Sequence, residues 1–210
     1  MTVSAENGNI TLKGFTLTIA AQRAVDKQVK KLAPDAVNEV RLKPTERSDK
    51  AIRKDVEDAV LNYPYYGVFD GVSVGVKDGV VVLGGSVQQP YRKDDIDARV
   101  AGVQGIHALH DKIEVQPASL SDNQLRLALW RRIYGNELFS RYAYWPNLPI
   151  RILVDRGNVT LVGSVPSHVE QVAAGFLARE TWAFSVDNRI QLDSEVRANA
   201  DRKHTQHTLV

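Results

Sequence analysis

The chain has 210 residues, of which 43% are hydrophobic and 25% charged, with a net charge of +2 and no cysteine. This is the composition of a folded protein long enough for two or three small domains; it excludes disulfide and thiol chemistry, and its net charge is too small to imply a polyanion partner. No window reaches the roughly 18 to 20 uninterrupted apolar residues of a membrane-spanning helix.

In chain order the first element is a hairpin, with Thr2 to Glu6 as one strand, Asn7-Gly8 as the turn, and Asn9 to Thr16 as the partner. A helix from about Leu17 to Leu32 follows, with Ala21, Ala24, Val25, Val29 and Leu32 forming an apolar face opposite Lys27, Lys30 and Lys31. Pro34 ends it, and Ala36 to Leu42 reads as a closing strand. Residues 1–43 thus form a ββαβ copy that is incomplete, because no helix leads into its hairpin.

A polar linker then brings Ser48 or Asp49 to a helix start. Ile52, Val56, Ala59, Val60 and Tyr63 make the buried stripe of that helix, and Arg53, Lys54, Glu57 and Asp58 its wet side. Strands Val72 to Val76 and Val80 to Val87 flank an Asp78-Gly79 turn. A helix from about Tyr91 to Ala101 follows, with Asp94, Asp95 and Asp97 read as carboxylates favouring its N-terminal dipole, then a strand from Ile106 to Val115. Residues 48–116 read as a full αββαβ unit.

The third unit, residues 121–192, opens on Ser121-Asp122-Asn123-Gln124 as a capping box. Its helix runs to about Tyr134, and an aromatic-rich loop spans Leu138 to Pro146. Strands at Ile150 to Val154 and Val159 to Val165 flank Arg156-Gly157. A helix from His168 to Ala178 and a strand from Trp182 to Leu192 complete it. Residues 193–210 are a polar tail expected to fray.

Two glycines recur in each copy. Gly8, Gly79 and Gly157 supply the turn, and Gly14, Gly85 and Gly163 follow six residues later. There a missing Cβ permits a bend or the close approach of the next helix. Lys and Arg number 7 against 4 acidic residues over residues 1–44, 9 against 12 over 45–117, and 11 against 9 over 118–210, so the middle copy is acidic and its neighbours basic.

The Asp-Gly hairpin, the phrase Val81-Val82-Leu83-Gly84-Gly85-Ser86-Val87 and the closing Val186-Asp187-Asn188-Arg189-Ile190-Gln191-Leu192 resemble the BON domain family. The resemblance covers three tandem copies. It implies an α+β fold of αββαβ units, each a small three-stranded mixed sheet backed by two helices, with the first unit lacking its leading helix. It also implies a protein without enzymatic activity that works in the bacterial periplasm at the cell envelope, similar to osmotically inducible periplasmic proteins, and binds phospholipid or mediates protein contacts. The chain shows no signal peptide, so a cytoplasmic protein is expected if Met1 is the natural start, and a fragment of a longer product otherwise.

The best recognition surface is the third unit's opening helix, which carries two stripes. Leu125, Ala128, Leu129 and Ile133 form the sheet-facing one. Leu127, Trp130 and Tyr134 form the other, flanked by Arg126 and Arg131, with Arg141, Tyr142 and Trp145 in the following loop. Aromatic side chains beside Arg suit an anionic lipid headgroup layer or an envelope partner. The same stripe would equally serve to pack against a neighbouring unit or the loop. Nucleic acid is not indicated, the basic residues being few and without a stacking platform.

His107 and His110 sit in a strand and point to opposite faces, His168 starts a helix, and His204 and His207 lie in the tail, so no metal and no cofactor is expected. Ser86 and Ser164 recur without an activating histidine, so no catalytic site is expected. Two functions remain: an envelope-associated module contacting anionic phospholipid through the third unit, or a structural protein whose units mediate protein contacts and homo-oligomerise through sheet edges.

Overall fold

In a computed structural model of the chain, residues 1–6 and 9–205 are described. The fold is α+β: three small mixed sheets and, among the described residues, seven helices. The first sheet holds β1 (Thr2–Glu6), β2 (Asn9–Thr16) and β3 (Val37–Leu42), with α1 (Ile19–Leu32) between β2 and β3. Next come α2 (Asp49–Leu61), β4 (Gly71–Lys77), β5 (Val80–Val87), α3 (Pro90–Ala101), β6 (Ala108–Asp111) and β7 (Glu114–Val115). The third copy comprises α4 (Leu120–Tyr134), the short α5 (Glu137–Ser140), β8 (Ile150–Asp155), β9 (Asn158–Val165), α6 (His168–Arg179) and β10 (Ser185–Leu192), followed by α7 (Asp193–Thr205).

The topology repeats. In the first sheet β1 runs antiparallel to β2 and β3 parallel to it, and in the third sheet β8 and β10 flank β9 in the same way. A parallel closing strand needs a crossover, and α1 and α6 supply it. In the second copy β6 runs parallel to β5 and β7 also pairs with β5. The single strand expected over Ile106 to Val115 is thus broken after Asp111, whose carboxylate accepts the Ile113 N–H and turns the chain.

The chain divides into two compact units. One comprises Met1–Tyr66, Val72–Gly85 and Pro90–Glu114; the other comprises Gly67–Gly71, Ser86–Gln89 and the chain from Val115 on. In the first unit, Ile52, Val56 and Val60 of α2 and Ile96 and Val100 of α3 are buried with Val81 and Leu83. The core of the second unit is built by Leu125, Leu129 and Ile133 of α4, the alternate β8 residues Ile150, Ile152 and Val154, Val159, Leu161 and Val165 of β9, and Ala174 and Ala178 of α6. Val68 and Phe69 pack against that core, and the Val68 carbonyl accepts the Ile152 N–H at 2.8 Å, which covers the outer edge of β8.

One device ties helix to hairpin in both complete copies. The Asp49 carboxylate accepts the N–H groups of Asp78 and Gly79 at 2.8 and 2.9 Å, and Asp122 accepts those of Arg156 and Gly157 at 2.9 Å each. These turns carry two consecutive residues of positive φ, 51° and 72° at Asp78 and Gly79, 49° and 77° at Arg156 and Gly157, as the twist of a two-residue hairpin requires. The turn expected at Asn7-Gly8 lies outside the described residues. The second recurring glycine has a different neighbour from the one expected: a Cβ on Gly163 would lie 1.9 Å from the Pro149 carbonyl oxygen, at the entry to β8, rather than against the next helix.

Other expectations need correcting. The α4 cap is Ser119, not Ser121, and Asp122 falls in the first turn. Asp94, Asp95 and Asp97 are not first-turn carboxylates, because α3 starts at Pro90; Asp95 accepts the Tyr63 hydroxyl and Asp97 pairs with Arg23. On α1, Ala21, Ala24 and Leu32 are exposed, and only Val25 and Val29 of the expected face are half-buried. Arg53 is not merely solvated but donates to the Val74 carbonyl at 2.6 Å. The strand expected from Trp182 starts at Ser185, and the tail forms α7, whose Glu195 accepts the Leu192 N–H.

Candidate recognition surface

The two stripes expected on α4 separate only in part. Leu127 (48% exposed), Trp130 (39%) and Arg131 lie on the outer side, and Leu120, seven residues before Leu127, extends that side. Tyr134 does not join them. It is buried, its hydroxyl donates to the Ile150 carbonyl at 2.6 Å and accepts the Ile150 N–H at 3.0 Å, and burial pushes its phenol well above the usual range. Arg126 is also buried, where it was expected to flank the exposed stripe. Its guanidinium donates to Asn123 Oδ1 (2.7 Å), Gln116 Oε1 (2.8 Å) and the Val154 carbonyl (2.6 Å), and desolvation lowers its pKa. It is a core staple between α4 and β8.

The loop residues form a cluster of their own. Tyr142 is buried and its ring meets Trp145 edge-to-face at 4.9 Å between centroids. The Arg141 guanidinium stands 4.7 Å from the Tyr142 ring centre, donates to the Tyr142 hydroxyl at 2.6 Å, and pairs with the buried carboxylate of Glu170 at the start of α6. Burial leads the rise in the Tyr142 pKa. Arg141 therefore caps a buried acid, while Tyr144 and Trp145 remain exposed. Of the residues singled out in the sequence, Leu127, Trp130 and Arg131 share one surface and Arg141 and Trp145 another; Tyr134 and Tyr142 are core.

A third surface was missed. Val169, Val172 and Phe176 recur at helical spacing on the outer face of α6 and all are more than half exposed, as are Trp182 and Phe184 just beyond it. The three- and four-residue spacing of Val169, Val172 and Phe176 is legible in the sequence.

The α6 crossover, the parallel β9–β10 pair and the Asp122 clamp recur as a unit in the preceding copy, and the sequence signature recurs with them. The BON domain model matches residues 48–117 and 136–194. The chain belongs to the BON domain family. The matched segments omit residues 1–47, 118–135 and 195–210, so Leu127, Trp130 and Arg131 lie outside them and Arg141 and Trp145 within. BON domains are non-catalytic binding modules associated with the envelope or membrane, and no described helix of this chain is long and apolar enough to cross a membrane. No curated protein matches the chain. Among solved structures, one of CdsD, a structural protein of the Type III secretion system of Chlamydia trachomatis, is 13% identical, with 95% of this chain and 90% of that one covered at a TM-score of 0.30. A second, of the C-terminal domain of CdsD, is 14% identical, with 91% and 89% covered, also at 0.30.

Proposed function

We propose that this BON protein is a non-enzymatic, envelope-associated binding module whose third copy contacts anionic phospholipid through Leu127, Trp130 and Arg131 of α4, with Trp145 as a second aromatic contact. The observation that carries the reading comes from aligning α4 with α2 by their buried residues, Leu125, Leu129 and Ile133 against Ile52, Val56 and Val60. At the outer positions where α2 has Lys54, Glu57 and Asp58, α4 has Leu127, Trp130 and Arg131. The same helical frame thus exchanges a charged coat for an apolar one with a cation. A cation near an anionic leaflet gains about 1 kcal/mol, screened by salt, so one copy binds weakly and salt-sensitively.

The experiment is co-sedimentation with phosphatidylglycerol and with phosphatidylcholine vesicles at two salt concentrations. Wild type is expected on the anionic vesicles at low salt. Trp130→Ala and the triple exchange Leu127→Lys, Trp130→Glu, Arg131→Asp are expected to lose binding with circular dichroism unchanged, since α2 folds with that triplet. Equal binding by all three proteins would end the lipid reading.

The α6 stripe favours a second reading, protein contact. Val169, Val172 and Phe176 stand where α1 has Ala20, Arg23 and Lys27 and α3 has Tyr91, Asp94 and Ala98, so the third copy differs in having a large apolar residue at all three positions. Phe176→Asp changing the solution mass while leaving vesicle binding intact would support it.

A further inference from the structure

Four positions meet at the turn end of each complete copy, and their chemistry is reversed between the two. Asp78 and Arg156 open the turns, where the Asp49 and Asp122 carboxylates hold their N–H groups. Two residues before those carboxylates stand Arg47 and Leu120. The loop into the closing strand supplies the other two positions: His107 donates its N–H to the Gly79 carbonyl and Phe184 donates its own to the Gly157 carbonyl, both at 2.8 Å. Two residues before these lie Gly105 and Trp182. The positions adjoin in the second copy, where a Cβ on Gly105 would lie 3.1 Å from Arg47 Cδ and one on Gly79 2.6 Å from His107 Nδ1. In the third copy a Cβ on Gly157 would lie 3.5 Å from that of Phe184.

The second copy closes this end with polar contacts. Arg47 donates to the Gln104 carbonyl at 2.8 Å and to Asp55 at 2.5 Å, and His107 Nδ1 stands 3.2 Å from the Asp78 carbonyl oxygen. In the third copy the same positions project. Leu120, Trp182 and Phe184 are 84%, 62% and 87% exposed, and Arg156 reaches Asp155 only at 3.6 Å. Folding does not require the aromatic residues, since Gly105 and His107 serve the equivalent loop and the residue between them, Ile106, packs inward as Ala183 does.

We infer that this end of the third copy is where the chain enters an anionic bilayer, Leu120, Trp182 and Phe184 sinking into the interfacial layer and Arg156 resting among the phosphates. The inference rests on the lipid reading above and adds the residues that penetrate. Leu120, about two helical turns before Leu127, joins this end to the α4 surface. Shape favours lipid over a protein partner: the apolar side chains stand out from a helix start and a loop, and a fluid leaflet closes around a projection where a protein must offer a matching hollow. Charge agrees, because Arg156 in place of Asp78 sets a cation beside aromatic residues, the combination that an anionic headgroup layer takes up.

The test uses the full chain with phosphatidylglycerol and phosphatidylcholine vesicles. The double variant Trp182→Ser, Phe184→Ser is expected to bind phosphatidylglycerol vesicles at least about tenfold more weakly than wild type, with circular dichroism unchanged because both side chains are exposed. The chain has no cysteine, so Ser185→Cys carries a single environment-sensitive dye. Its emission is expected to shift to the blue on phosphatidylglycerol vesicles and to resist quenching by aqueous iodide. A double variant that binds like wild type, or a dye that iodide still reaches on bound protein, overturns the inference and leaves the α4 reading standing. Loss of binding in the double variant while Trp130→Ala binds like wild type supports this end and removes α4. Wild type that binds neither vesicle ends both. A wild-type oligomer that the double variant dissolves also overturns the inference, because this end would then be a protein contact.

Discussion

Replacing Asp122 by Ala removes the clamp between α4 and the β8–β9 hairpin. Asp122 is 2% exposed and accepts two N–H groups at 2.9 Å. Hydrogen bonds to an ionised acceptor are worth about 1.5–3 kcal/mol each, but the freed turn amides lie near the surface and recover part of that from water. The first-turn carboxylate also favours the helix dipole by about 0.5 kcal/mol. The expected loss is about 2–4 kcal/mol, with Asp122→Asn losing roughly half because its one carbonyl oxygen replaces one of two acceptors. The assay is urea denaturation followed by tryptophan fluorescence, which reports this copy alone because the three tryptophans are Trp130, Trp145 and Trp182. At a mid-range slope of about 2 kcal/mol per M the Ala variant shifts the midpoint by about 1–2 M. A loss under about 0.5 kcal/mol would refute the clamp.

Gly163→Ala is expected to lose at least about 3 kcal/mol in the same assay, since the new Cβ meets the Pro149 carbonyl at 1.9 Å and φ is 122°. Arg156→Asn is expected to stabilise by about 0.5 kcal/mol, because Asn tolerates the φ of 49° better than Arg; a midpoint that falls would contradict it. The phenols of Tyr63, Tyr134 and Tyr142 have raised pKa values, led in each case by desolvation. Their folded state disfavours the phenolate, so their contribution to stability is complete below the unfolded value near about 10 and is lost as pH rises beyond it. Ultraviolet titration should show these three ionising only with unfolding.

The hairpins were legible because their chemistry is local: two residues of positive φ, then a glycine where the entry to the neighbouring strand leaves no room. The helices were legible from the three- and four-residue spacing of Ile52, Val56 and Val60 or of Leu125, Leu129 and Ile133. What failed was reading partners from azimuth alone. A helical wheel puts Tyr134 opposite the sheet-facing stripe, yet both hydrogen bonds of its hydroxyl go to Ile150, sixteen residues away in sequence. Arg126 looked solvated because charge usually is, but Gln116 and Val154, brought to it by the fold, make its burial affordable. Glu170 behaves alike, held by Arg141 and Tyr142 from the aromatic loop. Those contacts span distances that periodicity does not encode. α7 was missed because its sequence is polar throughout and offers no apolar stripe to detect.

The repeats also separate what folding demands from what it leaves free. The buried positions Leu125, Leu129 and Ile133 of α4 are filled by Ile52, Val56 and Val60 in α2, and the Asp clamp recurs wherever a leading helix is present. The outer positions do not follow this rule: Lys54, Glu57 and Asp58 face Leu127, Trp130 and Arg131 in the alignment of α2 with α4, while Arg23 and Lys27 of α1 face Val172 and Phe176 of α6. Exposing an apolar side chain confers no stability on the copy that bears it, and the second copy, with the charged set, packs Ile52 and Val56 as tightly as the third packs Leu125 and Leu129. Stability therefore cannot account for the exchange, and contact with something outside the third copy can. The two exchanged faces sit on different helices and differ in charge, α4 carrying Arg131 amid its apolar residues and α6 a run of Val169, Val172 and Phe176 without a cation among them. That difference is the ground on which we propose an anionic surface as the contact of the first and an apolar protein surface as the contact of the second.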